Sequence, residues 1–159
     1  MVNIENYIGL DEFDIKILNI LQEDGRASAS SIAAQIGMSI PAVTERIKKL
    51  VESGVIRRFQ AIVDHKLVGL DVSAIITLIS ESSSHYSQVT ENANKMPEVI
   101  KCYSTTGRGS HLLIVRTQNT GTLEKLLRTI QAWPGVEHTE TQIILSSYKE
   151  FSTVPIINK

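Results

Sequence analysis

The first half of the chain repeats its apolar residues at the three- and four-residue spacing of amphipathic helices. This spacing predicts a first helix from Asp11 to Glu23, because acidic residues at its start suit the positive end of a helix and Gly25 follows its end. Its predicted buried positions are Leu10, Phe13, Ile17, Leu18 and Leu21. The pattern therefore places one amphipathic helix ahead of residues 28–54.

Residues 28–54 predict two further helices joined by a tight turn. The first is short, with Ser30 as its predicted N-cap and Gly37 as the residue that accepts the positive φ of the turn. The second begins after Ser39, whose hydroxyl can cap it, and carries Pro41 in its first turn, where a missing N–H is harmless. Its predicted buried stripe consists of Ile40, Val43, Ile47, Leu50 and Val51. This spacing indicates a helix-turn-helix, whose second helix enters the DNA major groove.

A β-type run at residues 55–63 follows the helix pair and carries two arginines, in the place of the wing of a winged helix. An isolated helix pair could equally be a hairpin inside another core. The helix before the pair and the basic strand after it favour a DNA-binding module. The predicted DNA-contacting residues are Ser39, Pro41, Ala42, Thr44, Glu45, Arg46, Lys48, Lys49, Arg57 and Arg58. Ala42, Thr44 and Glu45 are the predicted readers of base sequence, and the basic residues are expected to contact mainly phosphates.

From residue 72 onward, strand-like runs alternate with helical periods. Strands are predicted at 72–80, 99–105, 111–117 and 136–148, and helices at 84–96 and 122–133. This order is that of a ferredoxin-like βαββαβ domain, whose four-stranded antiparallel sheet has both helices on one face. The simplest way to cover the open face of the sheet is a second copy of the same chain. The predicted fold is therefore α+β, with a winged helix-turn-helix domain at 1–63, a hinge at 64–71, and a ferredoxin-like domain at 72–159 that dimerises.

The net charge and its distribution along the chain limit the possible functions further. The 159 residues carry a formal net charge of −1, which excludes a generally basic protein that coats nucleic acid. Any DNA binding must therefore come from local charge. Between Ser39 and Lys66 six basic residues stand against three acidic ones, enough for a few phosphate contacts per protomer, which suggests binding in multiples.

Several other kinds of chemistry find no support in the sequence. The single Cys102 rules out an intramolecular disulfide, suits a reducing cytoplasm, and is expected to be a buried small hydrophobe. The four histidines show no metal-ligand spacing, so no metal or other cofactor is predicted. We find no Ser-His-Asp order, paired carboxylates or phosphate-binding glycine loop, no signal peptide, and no apolar run near the roughly 20 residues of a membrane span. A cytoplasmic protein without enzymatic activity is expected.

The motifs of both halves resemble those of the Lrp/AsnC family of transcription regulators. The family pattern L-D-x-x-D-x-x-I-L-x-x-L-Q-x-D-G-R matches residues 10–26, and R-I-K-x-L-x-x-x-G-V-I matches residues 46–56. In the second half, M-P-E-V matches 96–99, T-G-x-x-S-x-L-L matches 106–113, T-x-T-x-I-I-L matches 139–145 and x-V-P-I matches 153–156. The resemblance covers nearly the whole chain. It implies a regulator that binds double-stranded DNA, senses a small molecule and assembles into dimers, tetramers or octamers.

The resemblance also implies an effector pocket between protomers, lined by the loop after the second strand. The corresponding residues here are Thr106, Gly107, Arg108, Gly109, Ser110 and His111, with Thr139 and Thr141 as neighbours. Although Ser110 fits the T-G-x-x-S-x-L-L match, the family's loop usually has an aspartate at this position, which is the natural partner of an effector's ammonium group. Arg108 and His111 instead favour a negatively charged group, so simple amino acids are expected to bind weakly or not at all. The two glycines could equally do no more than shape a hairpin.

Two other functions compete with that of a regulator. Siroheme decarboxylases resemble the family in both halves and should bury cationic and histidine side chains around a tetrapyrrole. Here the basic residues instead cluster on the second helix of the pair and on the run after it. A nucleoid-architectural protein without an effector would differ from a regulator only in degree. The sequence therefore favours a sequence-specific DNA-binding regulator over an enzyme.

Overall fold

The structure, a computed structural model, describes residues 9–80, 82–150 and 153–156. These residues form two compact units. The first contains residues 9–62 together with 149–150 and 153–156, and the second contains residues 63–80 and 82–148. The described residues after 148 therefore belong to the first unit, whereas the sequence predicted a single domain from 72 to 159. The predicted hinge at 64–71 lies in the second unit, where Leu70 N–H donates to the His65 carbonyl at 2.9 Å.

Three helices build the first unit. They are α1 at Glu12–Glu23, α2 at Ala29–Ile36 and α3 at Ile40–Glu52. Asp11 caps α1 in a capping box with Asp14, as acidic residues at a helix N-terminus favour. Ser28, not the predicted Ser30, caps α2, because its extended backbone directs its hydroxyl at Ser31 N–H. The helices share a core of Ile17, Leu18, Ile32, Ala33, Val43 and Leu50.

The turn between α2 and α3 confirms the helix-turn-helix. Gly37 ends α2 with a φ of 71°, in the left-handed region that glycine enters without strain. Ser39 Oγ then accepts a hydrogen bond from Ala42 N–H at 3.4 Å, and Pro41 occupies the first turn of α3. Local capping chemistry thus sets where α3 begins.

The buried stripe of α3 is narrower than the sequence predicted. Val43 and Leu50 are buried, and Ile47 packs against the same core. Ile40 and Val51 are about half exposed, because at 100° per residue they lie beyond the edge of that arc. As a result, α3 turns a wide polar face, bordered by two apolar residues, to solvent.

The prediction of a basic strand at residues 55–63 is wrong. Residues 57–64 have no regular secondary structure, so the described chain contains no wing strand. A strand needs a second strand to take up its N–H and C=O groups, and no described segment pairs with this one. The run consequently exposes Phe59, Ile62 and Val63.

The C-terminal segment 153–156 joins the core of the first unit. Val154 N–H donates to Gln22 Oε1 at 2.6 Å, and Gln22 Nε2 donates to the Val154 carbonyl at 3.2 Å. Ile156 packs against the three-helix core. One amide side chain thus holds a backbone segment much as a neighbouring strand would, which explains why this segment belongs to the first unit.

The second unit follows the order predicted from the sequence. Its strands are β1 at Val72–Ser80, β2 at Val99–Ser104, β3 at His111–Thr117 and β4 at Val136–Ile143. Its helices are α4 at Tyr86–Lys95, preceded by a 3-10 turn at Ser83–His85, and α5 at Thr120–Gln131. The strands form one antiparallel sheet in the order β2-β3-β1-β4, the ferredoxin-like arrangement.

Alternate residues of the sheet divide between two faces. The buried core lies on one face, under both helices, and includes Ala74, Ile76, Leu78, Val89, Leu113, Val115, Leu126 and Ile130. The opposite face carries the half-buried side chains of Ile75, Ile79, Leu112 and Ile114. Taken by itself, the second unit therefore leaves an apolar sheet face without a covering layer.

Candidate functional site

The polar face of α3 carries most of the predicted DNA-contacting residues. The exposed ones are Ser39, Pro41, Thr44, Glu45, Lys48 and Lys49, and Ala42 is half-buried. Thr44 Oγ1 donates to the Ile40 carbonyl at 2.9 Å, and the residue is exposed. Short side chains beside two cations on an exposed helix face fit what a major groove admits.

The two lysines of this face are held only loosely. Lys48 Nζ lies 3.8 Å from Glu52 Oε1, and Lys49 Nζ lies 3.8 Å from Glu45 Oε1, with all four side chains more than half exposed. Exposed pairs one helical turn apart contribute about 0.3–0.5 kcal/mol. A phosphate group can therefore replace the glutamates, and both lysines remain available to DNA.

Arg57 and Arg58 lie just beyond the C-terminal end of α3. Gly54 turns the chain with a φ of 77°, and Ile56 N–H donates to the Leu50 carbonyl at 2.9 Å, which ties the following residues to that end of the helix. Both arginines are exposed. The structure thus brings them near α3 without the strand that the sequence predicted.

Arg46 differs from the other predicted contacts, because it turns toward α1. Its Nη1 lies 2.7 Å from Asp11 Oδ2 and 2.7 Å from Asp14 Oδ1. The hydrogen bond to Asp14 raises the pKa of Arg46, while the Asp14 backbone N–H and then Arg46 lower the pKa of Asp11. The sequence singled out neither aspartate for this site; the available indication was their capping-box spacing of three residues.

The hairpin between β2 and β3 depends on two glycines. Gly107 has a φ of 100°, and Gly109 lies so close to β1 that a Cβ there would be 2.2 Å from Thr77 Cγ2. Arg108 between them is exposed, with its Nη2 2.8 Å from Glu140 Oε1. The glycines therefore shape the hairpin, and the hairpin presents one arginine.

Ser110 faces the interior of the second unit, in contrast to its prediction as a ligand contact. Its backbone N–H and its hydroxyl both donate to the Leu78 carbonyl, at 2.8 and 3.2 Å. Its Oγ also lies 2.8 Å from Ser80 Oγ and 3.1 Å from His111 Nδ1. This hydroxyl is thus engaged by partners inside the fold.

His111, predicted to favour a negatively charged ligand, is also buried in the second unit. Its side chain is 1% exposed and packs edge-on against the Tyr86 ring, with the ring centroids 4.8 Å apart. Burial lowers the pKa of His111, so the imidazole is neutral at pH 7. The period of two along β3 could have shown this, since His111 shares a face with Leu113 and Val115.

The two threonines predicted beside the loop do not join it. Thr139 is buried, where its Oγ1 accepts a hydrogen bond from Gln131 Nε2 at 3.0 Å, and Thr141 is exposed. The residue between them, Glu140, reaches Arg108 instead. The sequence missed Glu140 as a partner of the loop.

Other chemistry is not assembled in the described part of the chain. No three histidine, cysteine, aspartate or glutamate side chains converge there as metal ligands, and none of the described helices is long and apolar enough to cross a membrane. Cys102 packs partly against the core, and burial raises the pKa of its thiol.

A helix-turn-helix with an exposed second helix, followed by a four-stranded α+β domain, defines a two-domain DNA-binding regulator. Residues 10–57 match a family model described as winged helix-turn-helix DNA-binding, and residues 72–154 match one described as Lrp/AsnC ligand binding domain. The chain belongs to the Lrp/AsnC family of transcription regulators.

Relatives resemble the chain over nearly its whole length. The HTH-type transcriptional regulator FL11 of Pyrococcus horikoshii is 41% identical over 149 residues, which cover 94% of this chain and 98% of that protein. The transcriptional regulator AzlB of Bacillus subtilis is 34% identical over 152 residues, covering 94% and 97%. A solved structure of a transcriptional regulator from Neisseria meningitidis in complex with L-Met is 26% identical, with a TM-score of 0.87 over 92% of this chain and 96% of that one. These similarities favour the regulator over the enzyme.

Proposed function

We propose that this protein regulates transcription by placing α3 in the major groove of specific operator sequences. The observation that carries the proposal is the exposed face of α3. It combines Ala42, Thr44, Glu45, Lys48 and Lys49. Short side chains let the helix backbone approach base edges, and Glu45 can accept a hydrogen bond from cytosine N4. Arg57 and Arg58, exposed beyond the end of α3, would bind the adjacent phosphates.

The protein is proposed to act as a homodimer that assembles further. The support is the open face of the sheet, where Ile75, Ile79, Leu112 and Ile114 are only half-buried in a single copy. A second copy would cover this face and bring two helix-turn-helix units to one duplex. Two or more units also multiply the few phosphate contacts that each protomer can make.

A small molecule is proposed to act through the hairpin at 105–110. The matched ligand-binding domain supports a sensing role, and the Neisseria relative was solved in complex with L-Met. In this chain Arg108 already pairs with Glu140, which offsets its attraction for the carboxylate of an amino acid, and Ser110 offers no charge to an ammonium group. We therefore expect weak binding of simple amino acids. Calorimetry with the twenty amino acids tests this, and tight binding of leucine, or of any other simple amino acid, would contradict it.

A binding function is proposed rather than a catalytic one. The relatives above are named as transcriptional regulators, and several exposed basic residues cluster on the polar face of α3 and just beyond its C-terminal end. Added haem is expected to keep the Soret band of free haem. A shifted and sharpened Soret band, without DNA binding, would support the tetrapyrrole enzyme instead.

An electrophoretic shift with the DNA upstream of the protein's own gene tests the proposed function, with and without a panel of amino acids. Lys48→Met/Lys49→Met should weaken the shift because two cations that bind phosphates are removed. Lys125→Met, on the exposed side of α5, is the matched control and should leave the shift unchanged. Equal shifts by all three proteins would remove α3 from the DNA interface.

A further inference from the structure

One hydrogen-bond network at the start of α1 uses every carboxylate oxygen of Asp11 and Asp14. Asp11 Oδ1 accepts from Asp14 N–H at 2.9 Å, and Asp14 Oδ2 accepts from Asp11 N–H at 3.2 Å, which closes the capping box. The two remaining oxygens, Asp11 Oδ2 and Asp14 Oδ1, each lie 2.7 Å from Arg46 Nη1. A single guanidinium nitrogen of α3 therefore bridges both halves of the box that starts α1.

This bridge joins the two helices and is partly buried. The side chains of Arg46, Asp14 and Asp11 are 28%, 17% and 50% exposed, whereas both members of each lysine pair of α3 are more than half exposed. The guanidinium Cζ also lies 5.7 Å from the centroid of the Phe13 ring. Charge-assisted hydrogen bonds in such a partly buried place are stronger and less screened than exposed ion pairs. Asp11 and Asp14 thus hold the guanidinium at the start of α1 and offset the positive charge that would attract a DNA phosphate.

We propose that Arg46 is a positioning residue for DNA recognition, which fixes the rotation of α3 against α1 and makes no phosphate contact itself. This inference rests on the proposed function of α3. Arg46 lies next to Glu45 and one helical turn after Ala42, so any rotation that it prevents would carry both of these side chains across the base edges. The network thus connects the start of α1 to the residues that read sequence.

Replacing Asp14 distinguishes a positioning role of Arg46 from a purely electrostatic one. Asp14→Asn keeps a side-chain oxygen for the capping box but removes one of the charges that hold Arg46. If Arg46 only supplied positive charge to DNA, this substitution would free it and strengthen binding to every sequence. If Arg46 positions α3, the same substitution weakens binding to the preferred sequence and leaves non-specific binding unchanged.

The experiment compares two duplexes by fluorescence anisotropy over a series of salt concentrations. One duplex is enriched by the wild-type protein from a random library, and the other is a scrambled duplex of equal base composition. Arg46→Met and Asp14→Asn should each lower the ratio of the two affinities about tenfold, the effect of removing one specific hydrogen bond to a base, at an unchanged salt slope. The matched control Arg58→Met should weaken both duplexes and reduce the salt slope by about 0.9 for each phosphate that is no longer neutralised.

Each other outcome overturns the inference in a recognisable way. A smaller salt slope for Arg46→Met, or tighter binding by Asp14→Asn, would make Arg46 a phosphate contact and leave the proposed function standing. Equal losses of affinity on both duplexes at an unchanged slope would show a merely structural role. Equal affinity of the wild-type protein for both duplexes would overturn the proposed function and the inference together. Circular dichroism checks that the variants fold. If Arg46→Met does not fold, the binding of Asp14→Asn to the two duplexes decides between the two roles of Arg46.

Discussion

At the scale of single residues, the neighbours of a charged side chain decide what it can do. Arg46 and Lys49 lie three residues apart on the same helix, yet the arginine is held by two carboxylates and the lysine by one distant, exposed glutamate. His111 belongs to a loop region predicted to bind ligand, yet burial leaves it uncharged. From residue type alone, Arg46, Lys49 and His111 would all have been assigned to the binding of DNA or of a ligand.

The arginines beyond α3 give a prediction at this scale. Arg57→Met/Arg58→Met should weaken binding to all DNA sequences alike, because exposed arginines at this position reach phosphates rather than bases. The slope of log affinity against log salt should fall by about 0.9 for each phosphate that the variant no longer neutralises. Anisotropy titrations over a salt series measure it, and an unchanged affinity and slope would exclude both residues from the interface.

The buried imidazole of His111 predicts that the second unit loses stability in acid. Its folded pKa lies below the ordinary 6.5, so the unfolded state takes up the proton first as the pH falls. Its contribution to stability is complete above about pH 6.5 and is lost as the pH falls from there toward the lowered pKa. Urea unfolding, followed by the fluorescence of the single Trp133 in this unit, measures the decline.

Two histidine variants isolate this effect. His111→Gln should flatten the decline in stability between about pH 7.5 and 5.5, because it removes the group that titrates. His138→Gln, at an exposed position of β4, should keep the decline. A wild-type decline that persists in His111→Gln would assign the acid sensitivity to other groups.

At the scale of elements, the β2–β3 hairpin depends on the fit of Gly109 against β1. In Gly109→Ala a methyl group would lie 2.2 Å from Thr77 Cγ2 and 3.3 Å from the Leu78 carbonyl, so we expect a loss of about 1–3 kcal/mol in the free energy of unfolding. Thr77→Ala removes the nearer clash, and the double variant should recover most of that loss. Denaturant unfolding of the four proteins measures the coupling, and strictly additive losses would contradict it.

The helices and strands also show which features of the structure could be predicted from the sequence. The turn at Gly37, the cap at Ser39 and the strand order were predictable, because capping and periodicity act within a few residues. The strand at 55–63 was not, since a strand needs a partner that the sequence of the run does not contain. Likewise, the partners of Arg46 lie 32 and 35 positions earlier in the chain, and only the packing of α1 against α3 brings them together.

At the scale of the whole molecule, the open sheet face predicts self-association. Ile114→Lys places a charge at the centre of that face, whose burial in a dimer would be costly, and should give a monomer in light scattering at micromolar concentration. Lys125→Glu, a charge change on the exposed side of α5, should leave the mass of the assembly unchanged. Circular dichroism checks the fold of both. A dimer that survives Ile114→Lys would place the interface elsewhere.

Sequencing the duplexes that the wild-type protein retains from a random library shows whether α3 reads DNA sequence. A dimer that presents two α3 helices should enrich a two-fold symmetric sequence with half-sites about 10 base pairs, or a multiple of this, apart. Thr44→Ala/Glu45→Ala should change the preferred bases within each half-site, because these side chains face the base edges in the proposed complex. A retained pool as random as the input library would show that α3 does not read DNA sequence.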